Sequence, residues 1–168
     1  CTYRKEFNTI LPMIVPFILG SKIDLEHAKK IQEVLDDFGV KSEIYVASAH
    51  KVPTKTLEII EKFNEKKERV VYVTIAGRSN ALSGLVSANT HLPVVACPPF
   101  KDKSDYLTNI HSTLQMPSET PAMAVVDPKN AAHAVLRILS LTNKDLAKKV
   151  KNHIKLVKSS FKIKPVKE

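Results

Sequence analysis

Apolar runs of strand length alternate with helix-period segments along almost the whole chain, and few architectures can absorb that order. Residues 14–19 read as a first buried strand, with Gly20-Ser21 as the turn after it. A helix follows from Asp24: Leu25, Ala28, Ile31, Leu35 and Phe38 recur at three- and four-residue spacing, and Gly39 supplies a C-terminal stop. Residues 43–47 predict a second strand, and residues 54–64 a second helix with Leu57, Ile60 and Phe63 on one face. The continuous β-branched run 70–76 predicts a third strand, 80–89 a short small-residue helix and 94–97 a fourth strand. Residues 98–104 read as loop, 122–126 as a fifth strand, and 128–141 as a helix opened by Pro at its first turn. The lysine-rich segment after Asn143 reads as an amphipathic helix striped by Leu146, Val150, Ile154 and Val157. The expected fold is therefore α/β: a three-layer, doubly wound parallel sheet, flavodoxin-like, with a C-terminal amphipathic helix. The expected organisation is an N-terminal extension (1–13), an α/β domain (14–142) and a lysine-rich helix or tail (143–168). Pro16 conflicts locally, because it removes a ladder donor from what should be a central strand.

Length and composition narrow the class further. At 168 residues, with 43% apolar and 26% charged side chains, the chain can bury one substantial core and is not of disordered composition. No apolar run approaches the ~20 residues of a membrane-spanning helix, and the N-terminus lacks the pattern of a secretory signal. Cys1 and Cys97 make a poor disulfide framework and are too few for a protein-only zinc site, so cytoplasmic location and no metal are expected. The start at Cys1-Thr2-Tyr3, without Met, suggests a processed chain or a piece of a longer polypeptide. The net charge of +9 is concentrated: nine Lys against Asp145 and Glu168 put +7 on residues 143–168, with one aromatic (Phe161) and no Arg. That pattern favours a solvated basic helix over a nucleic-acid surface.

In doubly wound folds, ligands bind outside the carboxyl ends of the strands. Three polar clusters fall there: Gly20-Ser21-Lys22-Ile23-Asp24, Ser48-Ala49-His50-Lys51 and Gly77-Arg78-Ser79-Asn80. A phosphate would meet helix N-terminal N–H groups, the Ser21 and Ser48 hydroxyls and the Lys51 cation. Asp24 suits ribose hydroxyls. His50 is the side chain of these loops whose type exchanges protons near neutral pH.

Five segments occur in order: the three clusters (the third with Ala76 before it), Leu92-Pro93-Val94 with Cys97-Pro98-Pro99, and Leu114-Gln115-Met116-Pro117-Ser118. Together they resemble the phosphoribosylaminoimidazole carboxylases over residues 15–139. Ser-Ala-His-Lys, Gly-Arg-Ser-Asn and Cys-Pro-Pro look like the branch that adds CO2 directly to 5-aminoimidazole ribonucleotide, found in animals fused to the next enzyme of the pathway. The resemblance implies an octamer and no organic cofactor. It implies a proton role for His50 and ribose-phosphate contacts from Ser21 and Asp24. Ser48 and Lys51 match the second ligand loop, and Gly77, Arg78 and Ser79 match the segment around the ring and carboxyl group. Met116 and Pro117 fall where a substrate or subunit contact is expected.

The sequence also departs from the family pattern. Ile23 replaces a usual Ser, Asn109 a usual Asp, and Glu119 and Ala88 usual glycines. Two alternatives follow: a mutase acting on the N5-carboxylated ribonucleotide, toward which Val52-Pro53 and Gln115-Met116-Pro117 lean, or a weakened nucleotide-binding or assembly domain. A nucleic-acid-binding module ranks last. His27 is expected to face solvent, His91, His111, His133 and His153 to be structural, and Cys97 to be a small core residue.

Overall fold

The computed structural model describes residues 11–161; Cys1, most of the expected N-terminal extension and the last seven residues of the basic segment lie outside them. The elements are β1 (Met13–Leu19), α1 (Leu25–Asp37), β2 (Lys41–Val46), α2 (Pro53–Asn64), β3 (Arg69–Val70), β4 (Tyr72–Ile75), α3 (Ala81–Ala88), β5 (Val94–Ala96), α4 (Lys103–Leu114), β6 (Met123–Ala124), α5 (Pro128–Ser140) and α6 (Lys144–Ser160). A short 3-10 turn, Lys22–Asp24, precedes α1. The sheet runs β2-β1-β4-β5-β6 with β3 also on β1, and every pairing is parallel. This is the doubly wound, flavodoxin-like order that the alternation predicted.

The period of the strands sorts the core into two faces. Val15, Phe17 and Leu19 of β1 join Val73 and Ile75 of β4 under Ala28, Ile31 and Leu35 of α1, with α5 and α6 completing the layer. Ile14 and Ile18 point the other way, to Ile60 and Phe63 of α2 and Leu82 and Val86 of α3. Leu146 and Val150 of α6 are buried in the first layer, so this helix belongs to the core as far as Val150. Ile154 is half-buried and packs on the same layer, whereas Val157, the last residue of the expected stripe, is exposed.

The expected single strand 70–76 is two strands, separated at Val71. Pro16 accounts for the break. Gly20 N–H donates to Ile75 O, so the even residues of β1 face β4. By the same register the N–H that Pro16 lacks would have met the Val71 carbonyl, and pairing lapses at that residue.

A helix also stands where none was expected, between the fourth and fifth predicted strands. Asp102 caps α4, its side chain accepting from Asp105 N–H at 2.9 Å. The buried residues of α4 are polar, Asn109 and Thr113, while Tyr106, Leu107 and Leu114 are exposed. Periodicity therefore had no apolar stripe to report.

Candidate active site

The chain leaves β1 toward α1 on one face and β4 toward α3 on the other, which opens a crevice between the carboxyl ends of these neighbouring strands. The strand ends are fastened together: Gly20 N–H donates to Ile75 O and Ala47 N–H to Leu19 O, each at 2.9 Å. The three loops after β2, β1 and β4 therefore lie side by side, as the sequence predicted.

In the loop after β1, Ser21 caps the 3-10 turn by accepting from Ile23 N–H at 3.4 Å, which leaves its hydroxyl proton for a ligand. Ile23 itself is exposed at the rim. Asp24 is buried at the start of α1; burial raises its carboxyl above the usual range, and a hydrogen bond with the Ser21 backbone pulls it back in part. In the loop after β2, the Ser48 carbonyl accepts from Lys51 and Val52 N–H, and Thr56 Oγ1 donates to Val52 O. This turn carries His50 and Lys51 into solvent at the entrance to α2, whose N-cap, Val52, offers no capping side chain. The first N–H groups of α2 are thus left for an anion.

The loop after β4 is the most constrained of the three. Arg78 has φ +57°. Its N–H donates to Asn109 Oδ1 at 2.5 Å, and Asn109 Nδ2 donates to Pro99 O at 2.6 Å. Asn80 N–H donates to Ser112 Oγ at 2.6 Å, and Asn80 Nδ2 to Thr113 Oγ1 at 3.0 Å. Asn80 Oδ1 accepts from the Ser83 N–H and hydroxyl, capping α3. Helix α4 thereby holds the 77–80 loop through two buried residues, Asn109 and Thr113, and the half-buried Ser112.

A cleft of about 910 Å³ opens beside this loop, lined among others by Ala49, Arg78, Ser79, His111, Ser112 and Met116. It reaches the loops after β2 and β4. Of the site residues expected from the sequence, Arg78 and Ser79 line it, whereas Ser21, Asp24, Ser48, His50, Lys51 and Gly77 do not. Among the described residues, no group of three or more His, Cys, Asp or Glu could hold a metal ion, and no helix is long and apolar enough to cross a membrane.

One expectation needs correction, and two residues gain a role that the sequence did not show. His27 does not face solvent: it is half-buried, with Nε2 3.3 Å from Cys97 Sγ, and burial lowers its pKa, helped by Lys30 and opposed by Asp127. Asn109, noted only as a departure, proves to be a buried link between two strand-end loops, and Ser112 was not singled out at all. The Asp102–Asp105 capping pair was the signal that could have placed both on one helix. Cys97 is fully buried at the end of β5, its thiol pushed up to about 12 chiefly by burial and also by Asp127. Glu119 occupies φ +63°, backbone that suits the glycine it replaces.

Comparison with known proteins agrees with this geometry. The family model described as AIR carboxylase matches residues 14–159. The chain is 50% identical over 146 residues to the phosphoribosylaminoimidazole carboxylase of Archaeoglobus fulgidus, covering 87% of this chain and 79% of that one. To the Treponema denticola enzyme of the same name it is 37% identical, covering 91% and 98%. Against the bifunctional human phosphoribosylaminoimidazole carboxylase/succinocarboxamide synthetase, identity is 36% and the match spans 77% of this chain but 30% of that protein. The crystal structure of Treponema denticola PurE superposes with a TM-score of 0.83 at 37% identity, over 87% of this chain and 92% of that one. The chain belongs to the AIR carboxylase family of purine-biosynthesis enzymes.

Proposed function

We propose that the chain carboxylates 5-aminoimidazole ribonucleotide at a ring carbon with CO2, giving the 4-carboxy ribonucleotide. The observation that carries this reading is the alignment of three ligand loops on the adjacent strands β2, β1 and β4, with one imidazole, His50, among them. The aminoimidazole ring is an electron-rich enamine, so its carbon attacks CO2 directly. The protein then has to position the reactants and take one proton from the carbon that has gained the carboxyl group. His50 takes that proton. The Ser21 and Ser48 hydroxyls, the Lys51 cation and the uncapped start of α2 suit the phosphate, and the buried Asp24 suits the ribose. Gly77, Arg78 and Ser79 border the ring and the new carboxylate, a role supported by the place of Arg78 and Ser79 in the cleft wall. Homo-oligomeric assembly, an octamer by family resemblance, is part of the same proposal; sedimentation of the purified chain tests it.

The test is the ultraviolet change when purified protein meets aminoimidazole ribonucleotide and bicarbonate, with His50→Asn as control. Product from the native chain alone supports both the reaction and the proton role. A folded native chain that makes no product from this substrate, but converts the N5-carboxylated ribonucleotide, is a mutase instead. The Gln115-Met116-Pro117 segment, placed in the cleft, leans that way.

A further inference from the structure

Within the 77–80 loop, alternate amides have different fates. Arg78 N–H is held by Asn109 Oδ1 and Asn80 N–H by Ser112 Oγ, both from α4 and three residues apart on it. Among the described residues, the N–H groups of Gly77 and Ser79 donate to no other group. Asn109 is 4% exposed and makes four contacts that fix it. Its Oδ1 takes Arg78 N–H and its Nδ2 gives to Pro99 O. Its carbonyl accepts from Thr113 Oγ1 at 2.7 Å, and its side-chain nitrogen stands 2.9 Å from where a Cβ on Gly77 would lie. The amide is therefore oriented by both of its ends.

We propose that Asn109, assisted by Ser112, is the positioning residue of the carboxylation site: it ties down the Arg78 amide so that the Gly77 and Ser79 amides are left to receive the carboxylate of the product and the CO2 that precedes it. This rests on the carboxylase reading above. Two backbone donors held in advance, on a loop that need not rearrange, stabilise negative charge as it develops on the carboxyl oxygens. The φ of +57° at Arg78 is maintained by the same bond, since a non-glycine residue keeps that conformation only where its surroundings impose it. The acceptor is what the Arg78 amide needs: an Asp here, the side chain usual in the family pattern, would also accept from Arg78 N–H, whereas Ala offers nothing.

Three variants test this: Asn109→Ala, Asn109→Asp and Ser112→Ala, each measured for kcat and KM and for amide hydrogen exchange at residues 77–80. Asn109→Ala should lower kcat by about 10²-fold, the scale of a small misplacement of reacting groups, while KM for the ribonucleotide changes by no more than about threefold. Exchange at Arg78 should accelerate. Asn109→Asp, the side chain usual in the family pattern, keeps the acceptor for Arg78 N–H and should recover kcat to within about tenfold of native, with Arg78 protected from exchange. Ser112→Ala should free the Asn80 amide and give a smaller loss. If Asn109→Ala exposes Arg78 to exchange yet keeps native kcat, or if Asn109→Asp protects Arg78 yet is as slow as Asn109→Ala, the proposal is overturned. A native chain that turns over neither ribonucleotide sinks the carboxylase reading instead, and the exchange pattern still reports whether the clamp exists.

Discussion

The side-chain nitrogen of Asn109 stands 2.9 Å from the point a Cβ on Gly77 would occupy, with the Asn109 Cγ and Oδ1 at 3.4 Å. A long, free side chain would swing aside from such an intruder. Asn109 is bonded at both ends, to Arg78 N and Pro99 O, so moving it breaks one bond or both. Gly77→Ala should therefore destabilise the protein by about 1–3 kcal/mol, the cost of stranding a buried polar group, and should lose most of its turnover. Chemical denaturation with a parallel kinetic assay decides this. A variant with native stability would show that the amide yields freely.

Asp24, proposed above to hold the ribose, works against the fold. Its carboxyl pKa is raised, mainly by burial. For an acid of this kind, stability is fully present below the unfolded value near 3.8 and falls as pH rises through the folded value, so at neutral pH the ionised group is a net cost. Asp24→Asn should raise the melting temperature at pH 7.5 and narrow that advantage toward pH 4. It should also weaken binding of the ribonucleotide. Loss of stability at pH 7.5 would contradict this account.

Glu119 offers a stabilising change. Its φ of +63° costs a residue with a Cβ on the order of 1 kcal/mol that glycine does not incur. Glu119→Gly should raise stability by up to about 1 kcal/mol, although the more flexible unfolded chain offsets part of the gain. Thermal denaturation of the pair is sufficient, and a lower melting temperature would overturn the assignment of strain.

Two histidines set the acid limb of stability. Burial lowers the pKa of His27 against Cys97, and also that of His133, which stacks on His153 at 4.7 Å between α5 and α6 with Arg137 nearby. A base with a depressed folded pKa gives its full stability above the unfolded value of about 6.5 and loses it as pH falls below. Melting temperature should therefore fall between pH 7 and pH 5, less steeply in His27→Gln and His133→Gln. Equal slopes in all three proteins would refute the assignment.

How much of this was legible depended on whether a feature is local and apolar. The α1 stripe of Ala28, Ile31 and Leu35 and the β-branched strands announce themselves because a sequence period maps onto a buried face. The adjacency of the three loops proposed to hold the ligand was legible for a related reason: they follow strands, and strand ends in this topology converge. What was hidden lies in long-range polar contacts. Helix α4 packs through Asn109 and Thr113, which mimic a loop composition. The break at Val71 is caused by a proline fifty-five residues earlier. The environment of His27 depends on Cys97, seventy residues away. No window of neighbouring residues carries such facts.

Helix α6 joins both kinds of surface, and substitutions along it should separate them. Leu146 is 2% exposed and packs in the layer with α1 and α5, whereas Leu156, ten residues further on, is 68% exposed. Leu146→Ala should cost about 2–5 kcal/mol, the range for emptying a buried leucine site. Leu156→Ala should fall within about 0.5 kcal/mol in the isolated chain. The contrast also determines how the basic charge must be probed. Deleting the segment from Asn143 would strip Leu146 and Val150 from the core, and Asn143 itself caps the helix by accepting from Leu146 N–H. Loss of any activity would then report unfolding. Replacing the exposed Lys148, Lys151 and Lys155 by Glu leaves the buried face intact. If the cations are only a solvated face, the triple variant should retain native stability within about 1 kcal/mol and native turnover, and weak polyanion binding is the single property it should lose. A large fall in turnover would assign those lysines to the active assembly.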